Sequence, residues 1–144
     1  MKSSATAPGI YALQLLFDAA ADEWCTWQFR MPADYASAPI AVVSWKAASA
    51  TSGGVVWDVR LAAVTSGDAT DVDAKGFGSA NTATGTAPAT AGYLLDTSVT
   101  LTNADSVEAG DFVVVRLCRV GSDGSDSATG DAEVVSLALT YTTS

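Results

Sequence analysis

The feature that most constrains this chain is a period of two in its apolar residues, repeated in segment after segment. In Trp24–Met31, Cys25, Trp27, Phe29 and Met31 fall on one face and Thr26, Gln28 and Arg30 on the other. Val55–Ala63 repeats the pattern, with Val55, Trp57, Val59, Leu61 and Ala63 inward and Asp58 and Arg60 outward. Val135, Leu137, Leu139 and Tyr141 alternate with Ser136, Ala138 and Thr140. Successive side chains of a strand point to opposite faces, so each segment reads as a half-buried strand. Phe112–Arg119 is apolar on both faces at its start, the pattern of a central strand covered on both sides.

Weaker strands are expected at Tyr11–Phe17, Ile40–Lys46, Val72–Phe77 and Val99–Thr102, with a short piece at Tyr93–Leu95. Asp, Gly, Ser and Pro cluster between them, at 32–35, 51–54, 66–68, 109–111 and 121–124, where turns need such residues. Helix signals are poor: Asp18–Glu23 has room for one turn. The fold class expected is therefore all-β, an antiparallel β-sandwich or jelly roll of about eight strands. Residues 1–9 read as an extended N-terminal arm, residues 10–144 as the jelly-roll domain, and residues 78–92, uncharged and low in complexity, as a long surface loop.

Composition narrows the function. The chain has 144 residues, 16 Asp+Glu against 7 Lys+Arg, a net charge of -9 and no His. Nucleic-acid affinity comes mainly from Lys and Arg on phosphates, so no nucleic-acid partner is expected. Without His there is no Ser-His-Asp or Cys-His scheme and no imidazole metal site. No phosphate-binding Gly loop, nucleophile elbow or CxxC is present, and no cofactor is expected. No signal peptide is visible, and no run approaches the ~18 apolar residues of a membrane span, so no membrane partner is expected.

Several constellations have a plain structural reading. Cys25 and Cys118 read as two small buried hydrophobes, with a disulfide between them as the alternative. The loop from Asp123 to Glu133 has the oxygens a Ca²⁺ ion wants but not an EF-hand spacing, and reads as a solvated hairpin; Asp68, Asp71 and Asp73 read alike. Asp58 and Arg60 read as cross-strand charge pairing, since a glycosidase needs two carboxylates across a cleft. Trp27, Trp45 and Trp57 are expected in the core and Trp24 exposed. Arg119 closes a strand whose alternate positions are apolar, and Asp126 or Asp131 in the following loop is its expected partner in a structural ion pair. Apolar residues at Val56, Ala62 and Val64, outward by alternation, suggest an apolar patch that a second copy covers.

The chain also resembles a family. Tyr11–Phe17 followed by Trp24–Pro32 is similar to the opening "LAFD…D-E-x-x-x-F-x-x-P" of small bacteriophage virion proteins, and Asp34-Tyr35 before Ile40 continues the likeness. Trp45–Trp57 looks like their "W-x-A-x-S-A-T-S-G-x-V-x-W". Ala109-Gly110-Asp111 leading to Arg116 and Arg119, then Asp126, Gly130-Asp131-Ala132 and Tyr141, resembles their closing segment. The match spans roughly residues 11–141. It implies a non-enzymatic virion structural protein, a homotrimer made in the host cytoplasm and carried on the capsid surface, with the major capsid protein or another virion protein as partner. A capsid decoration (cement) protein is the expectation, since no shaft segment accompanies the domain. A tail-fibre or receptor-binding module is the alternative, and a carbohydrate-binding module a more distant one. Ser3, Ser4, Ala5, Thr6, Ala7, Pro8 and Gly9 of the arm are the expected partner-binding residues.

Overall fold

The computed structural model describes residues 2–3 and 6–144, with no account of the Lys2 and Ser3 side chains. Ten strands run in chain order: β1 (Lys2–Ser3), β2 (Tyr11–Ala12), β3 (Leu15–Phe17), β4 (Asp22–Arg30), β5 (Tyr35–Ala47), β6 (Gly54–Val64), β7 (Asn81–Thr86), β8 (Leu95–Thr100), β9 (Phe112–Val120) and β10 (Ala132–Thr143). β1 and β2 form a small ribbon of their own; the other eight form two antiparallel four-stranded sheets, β3-β10-β5-β8 and β4-β9-β6-β7.

The wiring follows from four pairings: β3 with β10, β4 with β9, β5 with β8 and β6 with β7. The chain from β3 to β10 is one long hairpin, folded at β6–β7. Rolling it up brings β10 against β5 and β9 against β6. That is a jelly roll, the eight-stranded double-sheet solution expected from the sequence.

The two inner faces interdigitate to make the core. Val43, Trp45, Trp57, Val59, Leu61, Val99, Val113 and Leu117 are inaccessible to solvent there. Phe17 and Trp45 each meet the Trp57 ring edge-on, with centroids 5.5 and 5.7 Å away. The Trp45 indole donates to Thr97 Oγ1 at 2.9 Å, so its buried N–H is satisfied.

Four local expectations are corrected. Residues 78–92 are not one surface loop: β7 lies within them and closes the sheet edge beside β6. Its inner positions are Asn81, Ala83 and Gly85, so it lacks the large apolar residues by which strands are recognised. Residues 72–77 are not a strand. Asp71 caps a single 3-10 turn at Val72–Ala74, its carboxylate accepting from Asp73 N at 3.0 Å. The Asp18–Glu23 stretch makes no helical turn: it bends at 19–21 and enters β4 at Asp22. Finally, Val56 and Ala62 do not form an exposed patch; both are buried. The excursion between β6 and β7 folds back, and Val72, Lys75 and Phe77 enclose a small pocket with Ala62, Val64, Phe112 and Val114.

Candidate functional site: an open sheet edge

The two sides of the sandwich end differently. On one side β7 and β8 lie against each other. On the other, the edge strands are β3 and β4, and they are badly matched: three residues against nine. β3 pairs with β10 only from Ala132 to Val134. From Val135 onward β10 is paired on its β5 side alone. The chain before β3 leaves the sheet, because Tyr11 and Ala12 pair with Ser3 and Lys2 instead.

The gap this leaves is a groove of about 640 Å³ running between β4 and β10. Leu13 and Leu15 form one wall, Trp27 and Phe29 another, and Val134, Leu137 and Leu139 the β10 side; Leu61 and Val115 form its floor. Its only polar lining residues are Gln14, Gln28 and Ser136, and it holds no titratable side chain. Such a lining offers apolar contact along most of its length and polar contact at those three side chains. Among the described residues no group of three or more His, Cys, Asp or Glu is placed to hold a metal ion.

The groove corrects the expectation for Trp27. It points inward as alternation requires, yet it is 37 % exposed because no strand stands opposite it. Trp45 and Trp57 are in the core and Trp24 is exposed on the outer face of β4. The residues before β3 extend the apolar surface beyond the groove: Ile10, Tyr11 and Leu13 are more than two-thirds exposed and Leu16 about half. Their exposure is legible only once β3 is known to be three residues long. The one sequence sign is that Ile10–Phe17 is apolar on both faces, broken at Gln14.

Arg119 is fully buried, and all five guanidinium hydrogens are used. Nε and Nη2 donate to the two carboxylate oxygens of Asp126 at 3.1 and 2.7 Å. Nη1 donates to the carbonyls of Phe17 and Gly130 at 3.1 and 2.8 Å, and Nη2 also to that of Ala128 at 2.8 Å. Asp126 accepts Val56 N as well, at 2.9 Å. Asp131 takes no part; its carbonyl accepts Ala48 N at 2.9 Å. The acidic loop thus folds around the guanidinium, and it ties β3, β6 and β9 together.

Asp58 accepts from Arg60 Nε at 2.8 Å and Arg116 Nη2 at 3.2 Å on the outer face of β6 and β9. Unlike that of an ordinary surface pair its carboxylate is buried, and Arg116 in turn lies over the Phe77 ring. Cys25 and Cys118 are free thiols. Register pairs Cys25 with Leu117 and Trp24 with Cys118, so the two side chains stand on opposite faces of the sheet and cannot bridge. Burial pushes the Cys25 thiol up to about 11, with Cys118 adding to it, and burial also raises Cys118.

Of the arm, Thr6–Gly9 is exposed and outside both sheets, Ser3 pairs with Tyr11, and Ser4 and Ala5 lie outside the described residues. No family model, curated protein or solved structure matches the chain.

Proposed function

We propose that this chain is a virion structural protein of a bacteriophage, a capsid decoration protein that binds the outer head surface and stabilises the shell without catalysing a reaction. The observation that carries this reading is the open β3/β4 edge. It combines an apolar groove, a strand edge without a neighbour and a run of exposed large apolar residues, all marks of a surface meant for other protein chains. The sequence resemblance supplies the kind of assembly. The jelly roll gives a compact body from which the arm, residues 3–9, reaches the major capsid protein, and the copies act as a homotrimer. A clamp that binds the intact shell and not its separated subunits stabilises the shell by mass action.

The test is add-back. Heads of the phage whose genome carries this sequence are prepared without the protein and heated with and without purified protein. The reading expects DNA release to move to higher temperature as the protein is added, saturating with occupancy of the head surface. Heads that neither bind it nor gain resistance to heat overturn the reading.

A further inference from the structure

The strand expected at Tyr11–Phe17 is interrupted in the structure. β3 keeps Leu15–Phe17, Tyr11 and Ala12 stand off in β2, and only Leu13 and Gln14 separate the two. Yet the alternation runs through the break: Tyr11, Leu13, Leu15 and Phe17 would share one face of a continuous strand. Cover falls away along that face, from 2 % exposed at Phe17 to 41 % at Leu15, 76 % at Leu13 and 71 % at Tyr11. β10 is already shaped for the missing part. Against β5 it carries one extra residue, Val135, so that Val134 faces Trp45, Ser136 faces Ser44, Leu137 faces Val43 and Leu139 faces Ala41. On its other side β10 is paired only as far as Val134, opposite Leu15. The same count continued there sets Gln14 opposite Ser136, Leu13 opposite Leu137, Ala12 opposite Ala138 and Tyr11 opposite Leu139. The bulge at Val135 thus keeps Leu13 and Tyr11 on the inward side, beside two residues that line the groove.

We propose that β2 is a strap: swinging about Leu13–Gln14, it zips onto β10 of its own chain, makes one strand from Tyr11 to Phe17 and closes the groove. Leu13 and Gln14 already stand at the groove wall, where a hinge has to be. The pairing of Tyr11 and Ala12 with β1 survives the swing, because a strand has two edges and β1 takes one. No charge enters the groove, since Tyr11–Gln14 carries none. Closure removes the two liabilities of the open form, a free strand edge and exposed apolar side chains beside it. The open form offers about 640 Å³ of mainly apolar space; the closed form fills it with Leu13 and Tyr11. A guest that enters the groove therefore holds the strap open, and its affinity is reduced by the closed fraction. The strap acts on the groove whatever the guest, so it stands apart from the decoration role.

The test traps the closed register in the full chain. Ala12→Cys and Ala138→Cys are made together; both sites are exposed. In the closed form they are direct partners, with Cα atoms about 4.5–5.5 Å apart, inside the span a disulfide bridges. The control pair, Ala12→Cys with Thr142→Cys, is also exposed but lies four residues further along β10, about 13 Å from register. In a glutathione redox buffer the first pair is expected to bridge within one chain at least about tenfold faster than the control, with peptide mapping to exclude bridges to Cys25 or Cys118. Adding Leu13→Asp to the first pair puts a carboxylate on the face that must enter the groove, and is expected to slow the bridge at least about tenfold. An unchanged urea midpoint of the reduced protein shows that this variant is folded. No bridge in the first pair, equal rates for the two pairs, or a bridge indifferent to Leu13→Asp overturns the proposal.

Discussion

Arg119 shows how one side chain fixes a neighbourhood. The guanidinium is desolvated completely, which is tolerable only because each of its hydrogens has an acceptor and Asp126 supplies the counter-charge. Removing it leaves a buried carboxylate and three unpaired carbonyls. Arg119→Ala is therefore expected to cost about 3–5 kcal/mol, whereas Lys75→Ala, which loses a partly exposed pair with Asp105, is expected to cost at most about 1 kcal/mol. Urea midpoints compare the two directly, and equal midpoints would contradict the account. The pairing was half legible: an arginine ending an apolar strand before an acidic loop needs a carboxylate, but the sequence left Asp126 and Asp131 open. The loop's own turn decides, since it brings Asp126 to Val56 N as well.

The cysteines give a second residue-scale test. The thiolate is the reactive form, so two thiols whose pKa is raised by burial react slowly at pH 8. A disulfide-exchange reagent is expected to label neither Cys25 nor Cys118 at the rate of a free thiol until denaturant is added. The linkage has a definite sign. Because the folded Cys25 keeps its proton up to about 11, its contribution to stability is complete below the unfolded pKa near 8.5 and is lost as pH rises from there through 11. Cys25→Ala should remove that part of the alkaline loss, visible as a flatter melting temperature above pH 9.

At the scale of elements, what the sequence concealed were strands without large side chains. β7 is Asn-Thr-Ala-Thr-Gly-Thr, and no hydrophobicity argument finds it. Its inner face is small because the opposite sheet already fills the space. A Cβ on Gly85 would lie 2.9 Å from the Trp45 ring and closer still to Thr97 Oγ1. Asn81 is buried for a different reason: its amide donates to the carbonyls of Val59 and Asn103 and accepts from Asn103 N, pinning the loop after β8. Gly85→Ala should therefore cost about 1–3 kcal/mol through overpacking, against little change for Thr84→Val on the exposed face of the same strand. Chemical denaturation distinguishes them. Strands rich in Val, Trp and Leu, by contrast, were legible to within a few residues at β4, β6, β9 and β10, because each has one face that must be buried. The 72–77 segment misled for the converse reason: its apolar residues cover the outside of a sheet instead of extending one.

For the whole molecule, alternation and turn spacing were enough to read an antiparallel sandwich or jelly roll, since about eight strands without helices have few other ways to bury one face each; the pairing order that makes it a jelly roll comes from the structure. The candidate site was not legible in the same way. It arises from a length mismatch between β3 and β4, and strand length at an edge is set by where neighbouring chain departs, here by Tyr11 and Ala12 turning to β1. The expected patch on the outer face of β6 proved to be covered at Val56 and Ala62, and a run of exposed apolar residues stands instead at Ile10–Leu16.

Deleting residues 2–9 should leave the melting of the isolated domain nearly unchanged, because Thr6–Gly9 is exposed and the β1–β2 ribbon stands outside both four-stranded sheets. The same deletion should lower occupancy on the virion if the arm docks on the capsid. Normal occupancy by the truncated protein would contradict that role.

The decoration role itself is tested most directly by counting and placing the protein in purified virions, with quantitative mass spectrometry for copy number and labelled antibody for position. The account predicts copies in a fixed ratio to the major capsid protein and label spread over the head. Label confined to the tail, or a virion without the protein, would contradict it.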